Sequence, residues 1–140
     1  MLESSKAKTI RVGRLGKLSV HPGFYVYVGS AFGPGGVEAR VGRHRGRARN
    51  RHWHIDYLRS VTRLTDVWFT HDPDRREHDW ASVVERKMGG VAPLPGFGAS
   101  DCGCRSHLYY FRSRPSGRSF SRHLNRTHGG HDTVWIESRR

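Results

Sequence analysis

Apolar and polar residues alternate along the first part of the chain, as they do in half-buried strands. Short alternating runs at 9–12 and 17–20 flank a Gly-containing turn, which predicts a β-hairpin. The next run, 23–29, places its apolar residues on one face of a strand and Tyr25 and Tyr27 on the other. We therefore expect both tyrosine hydroxyls to point to the same side of a sheet.

The pattern changes to a helical period after a Gly-rich loop at 30–36. Further short strands are expected at 67–69 and 107–111. Helices are predicted over three segments: 37–47, 52–60 and a third that begins at Asp72-Pro73-Asp74, buries Trp80, Ala81, Val84 and Met88, and ends at Gly89-Gly90. Strands and helices in this order predict an α+β fold.

The composition of the chain changes near residue 112. Residues 112–140 are rich in Arg, Ser, His and Gly, and their only apolar run is Val134-Trp135-Ile136. Such a composition buries little apolar surface. The sequence therefore predicts one folded domain at 1–111 and a basic, mobile tail at 112–140.

The charge of the chain indicates its partner. The formal net charge is +13 over 140 residues, with basic residues concentrated towards both ends, which favours a polyanion such as nucleic acid. Arg greatly outnumbers Lys, and its planar guanidinium suits bidentate phosphate contacts. The charge also agrees with a basic adaptor that binds another protein. Binding to its partner would then be insensitive to salt.

Cysteine use and hydropathy predict where the protein acts. Cys102 and Cys104 lie two residues apart, a spacing that rarely reaches disulfide geometry, so a reducing compartment is expected. No apolar run approaches the roughly 18 residues of a membrane helix, and no charged-then-apolar leader opens the chain. These features predict a cytoplasmic protein that does not bind membranes.

One helix face concentrates basic residues after the tyrosine strand. The predicted helix and the residues after it place on one face, at helical spacing, Arg40, Arg43, His44, Arg47 and Arg51. That face is expected to follow a phosphate backbone, and the alternative is a solvated basic face with no partner.

Several strings in the chain carry a family resemblance. They are YVYVGSA at 25–31, RVGRH at 40–44, HWHIDYL at 52–58 and SDCGCRSHL at 100–108. Together, over residues 9–111, they resemble a poorly characterised branch of the GIY-YIG nuclease superfamily, whose members occur alone or fused to a DNA-repair endonuclease of the endonuclease III type.

The resemblance implies a fold and a set of catalytic residues. It implies a small three-stranded antiparallel sheet flanked by helices, here with an extra hairpin, and hydrolysis of DNA phosphodiester bonds in repair. Tyr25 and Tyr27 would position water or phosphate, Arg40 would hold two nonbridging phosphate oxygens, and His44 would assist proton transfer. Glu77 would bind Mg²⁺ or Mn²⁺.

Other readings of these residues stay open. Glu77 is equally explained as a first-turn acid stabilised by the helix dipole, and Asp79 and Glu85 are weaker substitutes as ligands. His52 and Asp56, four residues apart, would form a pair that orients an imidazole, unless this helix only packs. The residues expected to contact nucleic acid are Arg43, Arg47, Arg51, His52, His54 and Arg105.

A zinc site is a further hypothesis. Cys102, Cys104 and His107 would supply three ligands, with His52 or His54 as the fourth. The spacing is not that of a common zinc knuckle, and ordinary buried thiols beside a turn are the alternative.

One element of the superfamily pattern is not evident. A Gly-x-Tyr strand normally precedes the Tyr-x-Gly strand, but no such triplet occurs before Thr9. Either Gly23-Phe24-Tyr25 replaces it in compressed form, or the first strand is absent because the chain is truncated at its start. The sequence predicts a metal-dependent DNA endonuclease. Because the Gly-x-Tyr triplet is not evident, the alternative is a nucleic-acid-binding module that has lost turnover.

Overall fold

A four-stranded antiparallel sheet forms the centre of the computed structural model, which describes residues 1–46, 51, 53–99 and 104–138. Its strands lie side by side in the order β5 (Arg63–Leu64), β1 (Leu2–Ser4), β4 (Gly23–Tyr27) and β7 (Leu108–Phe111). In this register Tyr25 lies opposite Leu2 on one side and Tyr110 on the other.

Two small antiparallel pairs complete the β-structure. The predicted hairpin is present as β2 (Lys8–Val12) and β3 (Gly16–Val20), joined by a 3₁₀ turn at Gly13–Leu15. The second pair joins β6 (Asp66–Phe69) to β8 (Trp135–Ser138), so distant parts of the chain meet there.

Among the described residues, four α-helices pack around the sheets. They are α1 (Gly36–Arg45), α2 (His54–Arg59), α3 (Glu77–Ser82), which continues as a π-helical turn at Val83–Lys87, and α4 (Gly117–Thr127). The α+β class is confirmed, and the architecture is compatible with a small GIY-YIG-like domain. Within the described residues, none of the helices has the length and hydropathy needed to cross a membrane.

The third helix begins later than its sequence pattern predicts. Asp72 accepts a hydrogen bond from the Asp74 N–H at 2.9 Å, and its carboxylate lies 3.3 Å from Arg76 Nε. These contacts hold the segment as a turn, because an Asp side chain that binds a backbone N–H two residues on competes with helix formation. The helix therefore begins at Glu77.

The alternation of strand β4 separates two hydrophobic cores. On the tyrosine face, Tyr25 is fully buried and Tyr27 partly buried among residues of the hairpin, α2 and Phe97. On the other face, Val26 and Val28 pack with residues of α3, the π-helical turn and α4. The prediction that both tyrosines share one face is confirmed.

A short strand precedes the hairpin. This strand, β1, pairs with β4, which contains Gly23-Phe24-Tyr25. The sequence of β1 is Leu-Glu-Ser, which contains no Gly-x-Tyr triplet. The sheet also has four strands instead of the three expected, because the short strand β5 pairs with the outer side of β1.

The structure also differs from the expectation of a mobile tail at 112–140. Helix α4 buries Phe120 and Leu124 completely, and the ring centroid of Phe120 lies 5.2 Å from that of Trp68 and 4.9 Å from that of Trp80. The average composition hid these residues, although their spacing of four places them on one helix face.

Candidate functional site

A pocket of about 350 Å³ opens between the end of β4, helix α1 and the segment from β6 to α3. Four of the five predicted catalytic residues line it: Tyr27, Arg40, His44 and Glu77. They come from three separate parts of the sequence. The fold therefore brings a phenol, a guanidinium, an imidazole and a carboxylate to the wall of one cavity.

Arg40 is held from two sides. Its guanidinium carbon lies 4.0 Å from the ring centroid of Trp53, and its guanidinium donates a hydrogen bond to the hydroxyl of Tyr27. Stacking of this kind restrains an Arg side chain without neutralising its charge. Among the described residues, Arg40 Nε is buried and has no hydrogen-bond partner.

Gly29 explains why this arginine lies so close to the end of β4. A Cβ atom at position 29 would lie 3.0 Å from Arg40 Nη2. That separation is shorter than an ordinary van der Waals contact, so a larger residue would push the guanidinium away. The glycine that ends the Tyr-Val-Gly string thus leaves room for Arg40.

Burial keeps the Tyr27 phenol protonated and the His44 imidazole neutral. It raises the pKa of Tyr27 above its ordinary value, although the charge and hydrogen bond of Arg40 partly oppose the rise. Burial and, second to it, the nearby positive charge of Arg40 together lower the pKa of His44 to about 4. The two rings meet edge to face at 5.9 Å. At neutral pH, Tyr27 can donate a hydrogen bond and His44 can accept a proton.

Glu77 is the predicted metal ligand that reaches the pocket. Its side chain is 13% exposed, and Oε1 lies 3.9 Å from Arg75 Nη1. The weaker candidates lie outside the pocket lining: Asp79 is 3.3 Å from Arg76, and Glu85 accepts a hydrogen bond from the Tyr109 hydroxyl at 3.2 Å.

Sequence reasoning missed three other pocket carboxylates: the exposed Asp74, which lies 3.6 Å from Arg76, and the buried Asp66 and Asp72. Asp66 Oδ1 accepts a hydrogen bond from Arg114 at 2.5 Å. Hydrogen bonds from the backbone N–H groups of Asp132 and Asp74, together with Arg76, lower the pKa of Asp72 to about 2. Asp66 and Asp72 therefore already stabilise the fold, and no local motif distinguishes them.

Tyr25 lies apart from the other predicted catalytic residues. It is fully buried, and its hydroxyl accepts a hydrogen bond from the backbone N–H of His21 at 2.9 Å. Burial raises the pKa of this phenol as well. Its ring packs 5.1 Å from that of Tyr110, centroid to centroid, in the core behind the sheet. These contacts give Tyr25 a structural role.

Two residues expected to contact nucleic acid instead hold α2 and its neighbours in place. Arg43 donates a hydrogen bond to Asp56 at 2.7 Å, and its guanidinium carbon lies 4.0 Å from the Trp53 ring centroid. His54 Nδ1 accepts a hydrogen bond from the Gly98 N–H at 2.9 Å. The face of α1 that bears Arg40 and Arg43 therefore packs on Trp53 rather than facing solvent alone.

Of the other residues predicted to contact nucleic acid, two lie at the surface and two lie outside the described residues. Arg51 is exposed, with its guanidinium carbon 5.5 Å from the Tyr57 ring centroid, and Arg105 is exposed 3.6 Å from Glu85. Arg47 and His52 lie outside the described residues, so the predicted pair of His52 with Asp56 is not described. Asp56 accepts a hydrogen bond from the Trp53 N–H at 2.8 Å, which caps α2.

A second cluster of ligand-type side chains lies next to α3. One nitrogen or sulfur atom each of His78, Cys104 and His107 falls within 4.8 Å of the others, so these residues could hold a metal ion. Cys102 lies outside the described residues. His78 was missed because it is 26 residues from Cys104, and only its place beside Glu77 at the start of a helix hinted at a role.

The sheet, its flanking helices and the pocket define an α+β protein with an architecture compatible with a small GIY-YIG-like domain. The chain belongs to the family described as domain of unknown function DUF123, whose family model matches residues 1–129. That match includes α4. No curated protein and no solved structure matches the chain.

Proposed function

We propose that this protein is a metal-dependent endonuclease that hydrolyses phosphodiester bonds of DNA, in the repair context that the GIY-YIG resemblance implies. The observation that carries the proposal is the meeting of Tyr27, Arg40, His44 and Glu77 around one pocket. Phosphodiester hydrolysis requires stabilisation of charge on the phosphate, an acceptor for the proton of water, and help for the leaving oxygen. Arg40 would meet the first requirement and His44 the second, and a metal ion held by Glu77 would stabilise the leaving oxygen.

Arg40 would bind the scissile phosphate. Its stacking on Trp53 and its hydrogen bond to Tyr27 position the guanidinium before substrate arrives. A donor that is already oriented stabilises developing negative charge without reorganising during the reaction. Because Arg40 lines the pocket, its guanidinium can contact phosphate oxygens there.

His44 would accept a proton, and Tyr27 would donate a hydrogen bond. The neutral His44 imidazole can accept the proton of an attacking water, because the pKa of about 4 leaves it unprotonated at neutral pH. The Tyr27 phenol keeps its proton and can donate a hydrogen bond to a phosphate oxygen. This assignment makes Tyr27 a donor and His44 the acceptor.

Glu77 would hold the metal ion. The Glu77 carboxylate on the pocket wall is a hard oxygen donor that fits Mg²⁺ or Mn²⁺, whose remaining positions are normally filled by water and phosphate oxygens. When bound, the ion supplies Lewis-acid polarisation of the phosphate. Asp66 and Asp72 do not compete, because basic side chains and backbone N–H groups already occupy them.

A second function is supported by strand β1. Its Leu-Glu-Ser sequence contains no tyrosine, and Tyr25 is buried away from the pocket, so Tyr27 is the only tyrosine of the strand pair that lines it. A nucleic-acid-binding module without turnover would retain the basic surface and lack cleavage. Salt-sensitive binding without metal-dependent nicking would favour this alternative.

The test is cleavage of labelled single-stranded, duplex, flapped and abasic DNA with Mg²⁺ or Mn²⁺. We expect Arg40→Ala and Glu77→Gln each to lower the cleavage rate by about 10²–10³-fold, the usual cost of losing a group that stabilises the transition state. The reaction is also expected to stop when the metal is chelated.

Matched controls separate catalysis from charge. Arg14→Ala removes an exposed arginine and Glu38→Gln an exposed glutamate, and neither residue lines the pocket. Both variants should cleave at the parental rate. Equal losses in the control and pocket variants, or cleavage that persists without metal, would contradict the proposed roles.

A further inference from the structure

A cluster formed by one cysteine and two histidines lies beside the pocket but does not line it. His78 is the second residue of α3, whereas Cys104 and His107 lie in the segment that enters β7. His78 Nδ1 is 2.7 Å from Cys104 Sγ, and the rings of His78 and His107 meet edge to face at 5.8 Å. Three ligand-type atoms therefore converge from two elements that are far apart in sequence.

The chemistry of these donors distinguishes them from Glu77. Thiolate and imidazole are soft or intermediate ligands that favour zinc, whereas Mg²⁺ and Mn²⁺ favour carboxylate and water oxygens. Tetrahedral zinc binds nitrogen at about 2.0–2.1 Å and sulfur at about 2.3 Å, which separates neighbouring ligand atoms by roughly 3.5 Å. The three atoms lie within 4.8 Å of one another, so small side-chain rotations suffice to reach that geometry.

We infer that His78, Cys104 and His107 form a zinc-binding site. Three protein ligands leave a fourth tetrahedral position for a further donor or water. This inference is independent of the proposed nuclease function, because it rests on side chains outside the pocket lining and is measured without DNA.

The backbone around His107 makes the site rigid on one side. The Val28 N–H donates a hydrogen bond to the His107 carbonyl at 2.9 Å, and the His107 N–H donates to the Phe97 carbonyl at 2.8 Å. His78, on the other side of the cluster, is exposed. A bound zinc ion would therefore tie the first turn of α3 to the central sheet and restrict the position of the neighbouring Glu77.

The experiment measures metal binding to the full chain under reducing conditions. After removal of metal with a chelator, the protein is titrated with Zn²⁺ against a chromophoric competitor and, separately, with Co²⁺. We expect one zinc ion per chain. The cobalt form should show a thiolate-to-metal charge-transfer band and the intense visible bands of tetrahedral Co²⁺.

Two variants test individual ligands, and a third serves as a control. Cys104→Ser should abolish the charge-transfer band, and His78→Ala should weaken zinc binding by about 100-fold or more, because losing even a hydrogen-bond partner of a ligand costs about 10–100-fold. His123→Ala removes a histidine of α4 outside the cluster and should bind zinc like the parent.

Circular dichroism shows whether each variant remains folded, and the exposure of His78 makes its replacement the mildest of the ligand changes. Absence of stoichiometric zinc binding by the parent chain would overturn the inference. A charge-transfer band that survives Cys104→Ser, or unchanged affinity in folded His78→Ala, would do the same.

Discussion

Two tyrosines on one strand have different environments. Tyr25 and Tyr27 share a face of β4, but Tyr25 lies fully inside the core and Tyr27 lines the pocket. The difference arises because the hairpin and Tyr110 cover the position of Tyr25, whereas Tyr27 meets Arg40 and His44 from α1. A strand pattern assigns residues to a face and does not say what covers each position on it.

This difference predicts that the same substitution, Tyr to Phe, affects cleavage at position 27 and stability at position 25. Tyr27→Phe should lower the rate of DNA cleavage by about 10²-fold, because it removes a hydrogen-bond donor from the pocket. Tyr25→Phe should leave the rate unchanged and reduce the free energy of unfolding by about 1 kcal/mol, through loss of the hydrogen bond from His21. Cleavage kinetics and urea denaturation measure the two effects, and an equal rate loss in both variants would contradict the assignment.

His44 predicts how stability depends on pH. Its pKa is lowered to about 4 in the folded chain, mainly by burial, whereas an unfolded histidine titrates near 6.5. Between these values the unfolded state binds more protons than the folded state, so protonation favours unfolding. The stability associated with neutral His44 is present above about pH 6.5 and is lost as the pH falls towards 4.

Urea denaturation of the parent and His44→Gln across pH 4–7 tests this dependence. The variant should lose less stability on acidification than the parent, because glutamine has no proton to bind. The pKa values of His54 and His107 are also lowered by burial, so the comparison uses the difference between the two proteins and not the parent alone. Parallel pH profiles would contradict the role of His44.

At the scale of elements, helix α4 packs against the rest of the domain. The helix begins at a Ser116 side chain that accepts a hydrogen bond from the Ser119 N–H, and it packs Phe120 against Trp68 and Trp80. Strand β8 then pairs with β6. Phe120 and Leu124 are therefore part of the second core, and β8 extends the fold as an exposed strand paired with β6.

Phe120→Ala should reduce the free energy of unfolding by about 3–5 kcal/mol, because it leaves a cavity in a closely packed core. Arg118→Ala, which alters an exposed residue of the same helix, should change it by less than about 0.5 kcal/mol. Urea denaturation followed by circular dichroism measures both. A small effect at Phe120, similar to that of the control, would instead agree with a mobile tail.

At the scale of the whole molecule, the arginines that contribute to the net charge of +13 differ in their exposure and in their ion pairs. Arg43 is paired with the buried Asp56, whereas Arg51 is exposed. Only basic groups that remain accessible can replace the counterions of DNA. If the chain binds DNA as proposed, the ion pairs within the fold therefore decide which arginines can contact phosphates.

The salt dependence of DNA binding should show this selection. For a labelled duplex, Arg51→Ala should reduce the magnitude of the slope of log K against log salt by about 0.9, the value for one phosphate contact. Arg43→Ala should change the slope less and lower stability instead, because it leaves Asp56 buried without this ion pair. Fluorescence anisotropy at several salt concentrations measures the slopes. Equal reductions would contradict the distinction, and slopes near zero for all proteins would favour a protein-protein adaptor.

Much of the site was predictable from local pattern. Strand alternation placed Tyr27, helical spacing grouped Arg40 with His44, and the start of a helix singled out Glu77, and all of these residues line the pocket. The pairing of Arg43 with Asp56 and the approach of His78 to Cys104 were not predictable in this way. Neither pair belongs to one element, so no periodicity relates its members.

The sequence by itself determined the hairpin, the strands at 23–29, 67–69 and 107–111 and the first three helices apart from their exact ends, together with the shared face of Tyr25 and Tyr27 and the excess of positive charge. These properties follow from backbone geometry and from residues close together in the chain. The tertiary structure decided that β1 joins the sheet, that α4 enters the core, and which polar side chains are paired. Those outcomes depend on how distant elements pack, because burial and the dielectric environment are properties of the assembled fold.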